Sequence, residues 1–248
     1  MTAAETAARR WLPYRRPVRD PAVRLICVPH AGGSASAFRQ WPARLPPRIE
    51  VCAVQLPGRE TRWRDEPPPT LSALVDELAA ALLPLFGSRF ALCGTSFGAL
   101  VAFRLARRLR EVGLAAPARL VVAAMPAPDR LRVPDLESVD DVVLAEMVAR
   151  SPGPAPPGTE LALLTRRSLG LDLRLAATYA YAAEPALDCP ISVFGGRTDP
   201  AVPVDDLVAW RSHTTAACPV HLLPGGHFAF RDSADLLLRE IAADLAEG

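Results

Sequence analysis

The pentapeptide Gly94-Thr95-Ser96-Phe97-Gly98 carries the strongest chemical signal in the sequence. It follows a strand-like apolar run, Phe90–Cys93, and precedes a helical pattern, Ala99–Val112. A serine on so sharp a strand–turn–helix elbow projects its hydroxyl clear of the backbone. The free N–H groups of the helix start then face any oxyanion that forms beside it. The flanking glycines let strand and helix crowd the serine without Cβ clashes.

A serine hydroxyl is a weak nucleophile until a base takes its proton. The chain has four histidines. His227 lies in Pro224-Gly225-Gly226-His227-Phe228, directly after the last strand-like run, in a loop able to swing over a sheet edge. Where such an elbow carries a triad, the chain order is serine, then an acid, then histidine, and His227 fits that order. Asp199 in Gly195-Gly196-Arg197-Thr198-Asp199-Pro200 follows the strand-like run Ile191–Phe194 and is the candidate acid. Its competing reading is a plain turn aspartate before proline. Asp188 stands at the wrong end of that strand, and Asp205 and Asp206 suit a helix N-terminus. The oxyanion donors expected in this arrangement are the N–H of the residue after the nucleophile, Phe97, and an N–H of the loop after the first strand, Ala31. His30 in that loop is a rival base, but it breaks the chain order and reads better as a packing residue.

These residues need a scaffold. Val23–Val28, Val51–Val54, Phe90–Cys93, Leu120–Ala124, Ile191–Phe194 and Val220–Leu223 read as strands. Between them, helices are predicted after Thr70 (Leu71, Leu74, Val75, Leu78, Leu82, Phe86), at Ala99–Val112, Val204–Arg211 and Ser233–Leu245. Alternating strands and helices specify an α/β class fold with a mostly parallel central sheet flanked by helices. The rhythm breaks between about 127 and 185. There, two helices, Val139–Arg150 and Glu160–Ala183, flank the proline-rich stretch Ser151–Gly158. This block reads as a helical lid insertion within a single domain spanning 1–248.

Composition narrows the chemistry. A chain of 248 residues, 50% apolar and 22% charged, can bury a sizeable core. The net charge of +1 gives no field for nucleic acid or an anionic membrane. No apolar run is long enough to span a bilayer, and the N-terminus lacks the apolar core of a secretory signal, so a cytoplasmic location is expected. The sequence contains no lysine, which excludes Schiff-base and P-loop lysine chemistry. The five cysteines are widely spaced without a CxxC pair, so neither a metal site nor a redox pair is expected, and no cofactor is called for.

With these segments placed, the sequence resembles the type II thioesterases of polyketide and nonribosomal peptide pathways, members of the α/β-hydrolase superfamily. The matching stretches are Cys27-Val28-Pro29-His30-Ala31-Gly32-Gly33-Ser34, Gln55-Leu56-Pro57-Gly58-Arg59-Glu60, the elbow at Ser96, Phe194-Gly195-Gly196 leading to Asp199, and the loop at His227. The resemblance implies the α/β-hydrolase fold and hydrolysis of acyl or aminoacyl thioesters from the phosphopantetheine arms of carrier proteins. It further implies a triad of Ser96, Asp199 and His227, oxyanion donors at Ala31 and Phe97, and a lid over the acyl pocket. The expected partners are acyl or peptidyl carrier domains, with no nucleic acid and no membrane, and the protein is expected to be a monomer. Two residues depart from the family pattern: Thr95 replaces a histidine, and Phe97 replaces a methionine and adds bulk at the pocket mouth. A product-releasing or acyl-transferring enzyme of the same pathway type, or a non-catalytic assembly-line binding module, stands as the alternative. Arginine clusters at Arg59/Arg62/Arg64, Arg104/Arg107/Arg108 and Arg166/Arg167 read equally as carrier-docking patches or as solvated faces balanced by acids.

Overall fold

Six strands form one all-parallel sheet in the order β2-β1-β3-β4-β5-β6. They are β1 (Val23–Val28), β2 (Ile49–Ala53), β3 (Phe90–Thr95), β4 (Leu120–Ala123), β5 (Ile191–Gly196) and β6 (Val220–Leu223). The computed structural model describes residues 3–132 and 159–246. The expected helix Val139–Arg150 and the proline-rich stretch Ser151–Gly158 lie outside the described residues.

Side chains alternate across the strands, and the sheet is covered on both faces. In β1, Ile26 and Val28 enter one core, while Val23, Leu25 and Cys27 enter the other. The first core is filled by helices α2 (Leu71–Leu82) and α3 (Phe97–Glu111), and the second by the C-terminal helix α7 (Ala234–Ala246) through Leu237, Leu238, Ile241 and Leu245. The predicted cap of α2 forms: Thr70 Oγ1 accepts from the Ala73 N–H at 3.1 Å. Its apolar stripe, Leu71, Leu74, Val75, Leu78 and Leu82, is buried. The cysteines behave as small hydrophobes; all five are free, and four are buried.

Several elements differ from the sequence reading. An N-terminal helix, α1 (Ala3–Trp11), precedes the sheet and packs against α2. Its last residues hold it down: the Gln55 N–H donates to the Trp11 carbonyl at 2.7 Å, and the Arg62 guanidinium lies 4.0 Å from the Trp11 ring centre. The second helix of the inserted block, α4 (Glu160–Ala177), stops six residues earlier than its apolar pattern allows. Thr178 ends it; its hydroxyl donates to the Leu175 carbonyl at 2.7 Å and accepts from the Leu71 N–H at 2.9 Å, tying the helix end to α2. The segment Val204–Arg211 divides into a short helix, α5 (Val204–Val208), and a 3-10 turn, Ala209–His213. A further short helix, α6 (Ala229–Asp232), follows the His227 loop.

The topology places the chemistry. Because all strands are parallel, the loops after β1, β3, β5 and β6 leave from one edge of the sheet. The chain runs outward from β1 to β2 and returns past β1 to β3, so neighbouring β1 and β3 send their following loops in opposite directions. The crevice that opens at such a switch point is the usual ligand position in an open α/β sheet.

Candidate active site

Ser96 is the single residue between β3 and α3, with φ 49° and ψ −122°. That backbone conformation is strained for a residue with a Cβ, and such strain persists only where the surroundings enforce it. Here they do so through close contact. A Cβ on Gly98 would lie 2.2 Å from the Val28 carbonyl oxygen, and one on Gly94 would lie 2.1 Å from the Gly98 oxygen. The Ser96 N–H donates to the Ala123 carbonyl at 2.7 Å, which pins the elbow to β4. Because α3 starts at Phe97, the Phe97 N–H has no acceptor within the helix.

His227 and Asp199 arrive from the loops after β6 and β5. These loops are joined: the Arg197 N–H donates to the Leu223 carbonyl at 2.9 Å, and the Thr198 N–H to the Gly225 carbonyl at 3.0 Å. His227 Nδ1 lies 2.8 Å from Asp199 Oδ2, and His227 Nε2 lies 3.4 Å from Ser96 Oγ. The three predicted residues therefore stand in one line of hydrogen-bond contacts. The serine–histidine distance is at the long end, as is common before substrate tightens such a site. The Asp199 side chain is fully buried, and its second oxygen accepts from the Ala201 N–H at 2.8 Å. Burial pushes this carboxyl's pKa up, but the hydrogen bonds from His227 and from backbone N–H groups outweigh burial and hold it below the ordinary carboxylate value.

His30 does not join this line. Its ring packs at 6.0 Å from Phe228 and 5.6 Å from Phe230, centre to centre, joining the loop after β1 to the His227 loop. Burial, assisted by positive charge at His227 and nearby arginines, lowers its pKa to about 4. His213, featureless in sequence, is buried with Nε2 2.7 Å from Asp129 Oδ1, among Trp210, Phe103 and Tyr181.

A cavity of about 880 Å³ opens over Ser96 and His227. Ala31 and Phe97 line it together with Ser96; Leu100, Met125, Leu131, Leu173 and Ala176 form apolar wall, and Asp129, Arg130, Arg132 and Asp206 add charged groups. Leu173 and Ala176 belong to α4, so the described part of the inserted block contributes to the wall of the cavity. Two residues beside the site escaped sequence reasoning in this role. Asp172 of α4 and Arg59, from the loop after β2, form a buried ion pair at 2.6 Å. The remaining clustered arginines are largely engaged within the fold: Arg62 with Asp65, Arg104 and Arg107 with Glu184, Arg108 with Asp76, and Arg167 with Glu66. Among the described residues, no group of histidine, cysteine and carboxylate side chains could hold a metal ion, and no helix is long and apolar enough to cross a membrane.

A family model described as the thioesterase domain matches residues 23–245. The gramicidin S biosynthesis protein GrsT of Aneurinibacillus migulanus is 34% identical over 218 residues, covering 85% of this chain and 84% of that protein. A probable cadicidin biosynthesis thioesterase of Streptomyces griseus is 34% identical over 248 residues, covering 99% of this chain and 68% of that protein. Among solved structures, the RedJ thioesterase from the prodiginine pathway in Streptomyces coelicolor superposes with a TM-score of 0.82 at 34% identity, covering 98% of this chain and 96% of its own. BorB, the type II thioesterase of the borrelidin biosynthetic cluster, gives 0.84 at 35% identity, with 96% and 97% covered. Sequence likeness and superposition both run through the sheet, the elbow and the histidine loop: the chain belongs to the thioesterase domain family and has the α/β-hydrolase fold.

Proposed function

We propose that the protein is a serine thioesterase that hydrolyses acyl or aminoacyl thioesters carried on the phosphopantetheine arm of an acyl or peptidyl carrier protein. The observation that carries this reading is the placement of His227 between Ser96 and Asp199 at 3.4 and 2.8 Å, on the wall of a chamber lined by both apolar and charged side chains. The pathway context follows from the relatives, which include biosynthetic thioesterases and a type II thioesterase.

Ser96 Oγ attacks the thioester carbonyl while His227 Nε2 takes its proton. The tetrahedral oxyanion is held by the N–H groups of Ala31 and Phe97. Its collapse breaks the C–S bond, and the imidazolium returns its proton to the departing pantetheine sulfur. Water then attacks the acyl-serine ester, with His227 again as base, and releases the carboxylic acid and free Ser96. Asp199 keeps the imidazole in the tautomer that presents Nε2 to the serine and stabilises the imidazolium, without itself being protonated. No step calls for a cofactor.

The test presents the wild-type protein with carrier proteins loaded with a range of acyl and aminoacyl groups, and follows carrier and released product by mass spectrometry. Unloaded carrier and free carboxylic acid are expected. Carriers that remain loaded, or a cyclic or transferred product in place of the acid, would contradict hydrolysis.

A further inference from the structure

Asp172 sits in the middle of α4, and its side chain is entirely excluded from solvent, as is all but 3% of Arg59's. A buried carboxylate persists only when its oxygens are satisfied. Arg59 supplies a two-pronged contact, Nη1 to Oδ2 and Nη2 to Oδ1, each at 2.6 Å. The same Oδ2 accepts the Gly32 N–H at 2.8 Å. Arg59 also donates to the Gly33 carbonyl at 3.0 Å and to the Pro57 carbonyl at 3.2 Å. One ion pair thus joins three segments distant in sequence: the loop after β1, the loop after β2, and α4.

Its grip falls on the peptide next to a candidate oxyanion donor. The Gly32 N–H belongs to the peptide plane that directly follows Ala31. The turn closes behind it, with the Gly33 N–H donating to the His30 carbonyl at 2.9 Å. The helix lies hard against this loop. Gly32 has φ +73°, and a Cβ there would meet Leu169 Cβ, one turn before Asp172, at 3.2 Å. The carboxylate would oppose a negative charge forming nearby, but the guanidinium cancels it in place.

We propose that Asp172, locked by Arg59, is a positioning residue for the Ala31 oxyanion donor, which makes α4 a fixed wall of the site. Lifting α4 would strand Arg59 and the Gly32 N–H without their acceptor, so substrate entry proceeds without displacing this helix. The inference rests on the proposed role of Ala31 as an oxyanion donor.

Asp172→Asn keeps the side chain's size and one carbonyl acceptor but gives up the paired charge. Its turnover of an acyl thioester is measured per active site, counted by fluorophosphonate labelling. Removing an oxyanion donor outright costs ~10²–10³ in kcat, so displacing one is expected to cost roughly 10–100-fold, with KM changed less than about threefold. Affinity for an alkylboronic acid, whose serine adduct mimics the tetrahedral state, should weaken in step. Arg59→Lys, which keeps the charge but loses the fork, should behave likewise. A lower melting temperature with unchanged kcat per active site and unchanged boronate affinity would make the pair merely structural and overturn the proposal. Should neither variant fold, amide hydrogen exchange of the wild-type protein decides. The Gly32 amide and those of residues 168–175 should exchange as slowly as β1, with or without boronate; faster local opening of α4 would overturn the proposal. Failure of the serine-hydrolase reading has a different signature, retained turnover in Ser96→Ala.

Discussion

Two histidines flank the serine loop system, and their surroundings divide their work. His227 is held by Asp199 and turned toward Ser96, while His30 is enclosed by Phe228 and Phe230. A histidine with a folded pKa near 4 refuses a proton that the unfolded chain accepts near 6.5. Stability is therefore complete above that value and falls as pH drops from about 6.5 to about 4. Urea unfolding at the two ends of this window should differ by roughly 1–3 kcal/mol, after allowance for the ring's partial exposure. His30→Gln should flatten the difference; an unchanged pH profile in that variant would assign the acid sensitivity elsewhere. At this scale much of the site was legible. Ser96, His227 and Asp199 are each announced by glycine-bracketed turns after strands, because a local motif is enough to expose a side chain at a sheet edge. Asp172 was not legible. Mid-helix aspartate reads as a solvent-facing residue, and its partner Arg59 lies 113 positions away. Arg59 itself could be read from composition only as part of a basic cluster.

At the scale of elements, the elbow depends on α3 meeting β1 and β3 at backbone contact. Gly98→Ala would drive a methyl group into the Val28 carbonyl, 2.2 Å away, where no side chain can yield. The expected cost is about 3 kcal/mol or more, at the upper end for overpacking. That corresponds to a melting temperature lower by roughly 6–12 °C for a chain of this size. A thermal melt followed by circular dichroism reads it, and a variant with native stability would show that the approach is looser than described. The same closeness explains why sequence reasoning began α3 too late, at Ala99. One strained residue suffices for the turn, so the helix starts at Phe97, a tightness that periodicity cannot reveal. The strands were legible because apolar, β-branched runs ended by Gly or Pro are local signals. Helix α1 was missed for the opposite reason: what holds its C-terminal end is long-range, through Gln55 and Arg62. The end of α4 at Thr178 is likewise set by a bond to α2 rather than by its own pattern.

For the whole molecule, the parallel sheet is what turns scattered sequence motifs into one site. Strands β1, β3, β5 and β6 deliver Ala31, Ser96, Asp199 and His227 to a single edge, and α4 closes one wall over them. Most of the clustered arginines serve the fold through ion pairs, so recognition of an acidic carrier cannot be assigned to those clusters by charge counting. The central claim is that Ser96 carries the acyl group. Its most direct test is the rate of acyl-thioester hydrolysis by Ser96→Ala, compared with wild type at matched folded concentration. Loss of the nucleophile should lower kcat by roughly 10³-fold or more, with the melting temperature essentially unchanged. Turnover by Ser96→Ala near the wild-type rate would contradict the account.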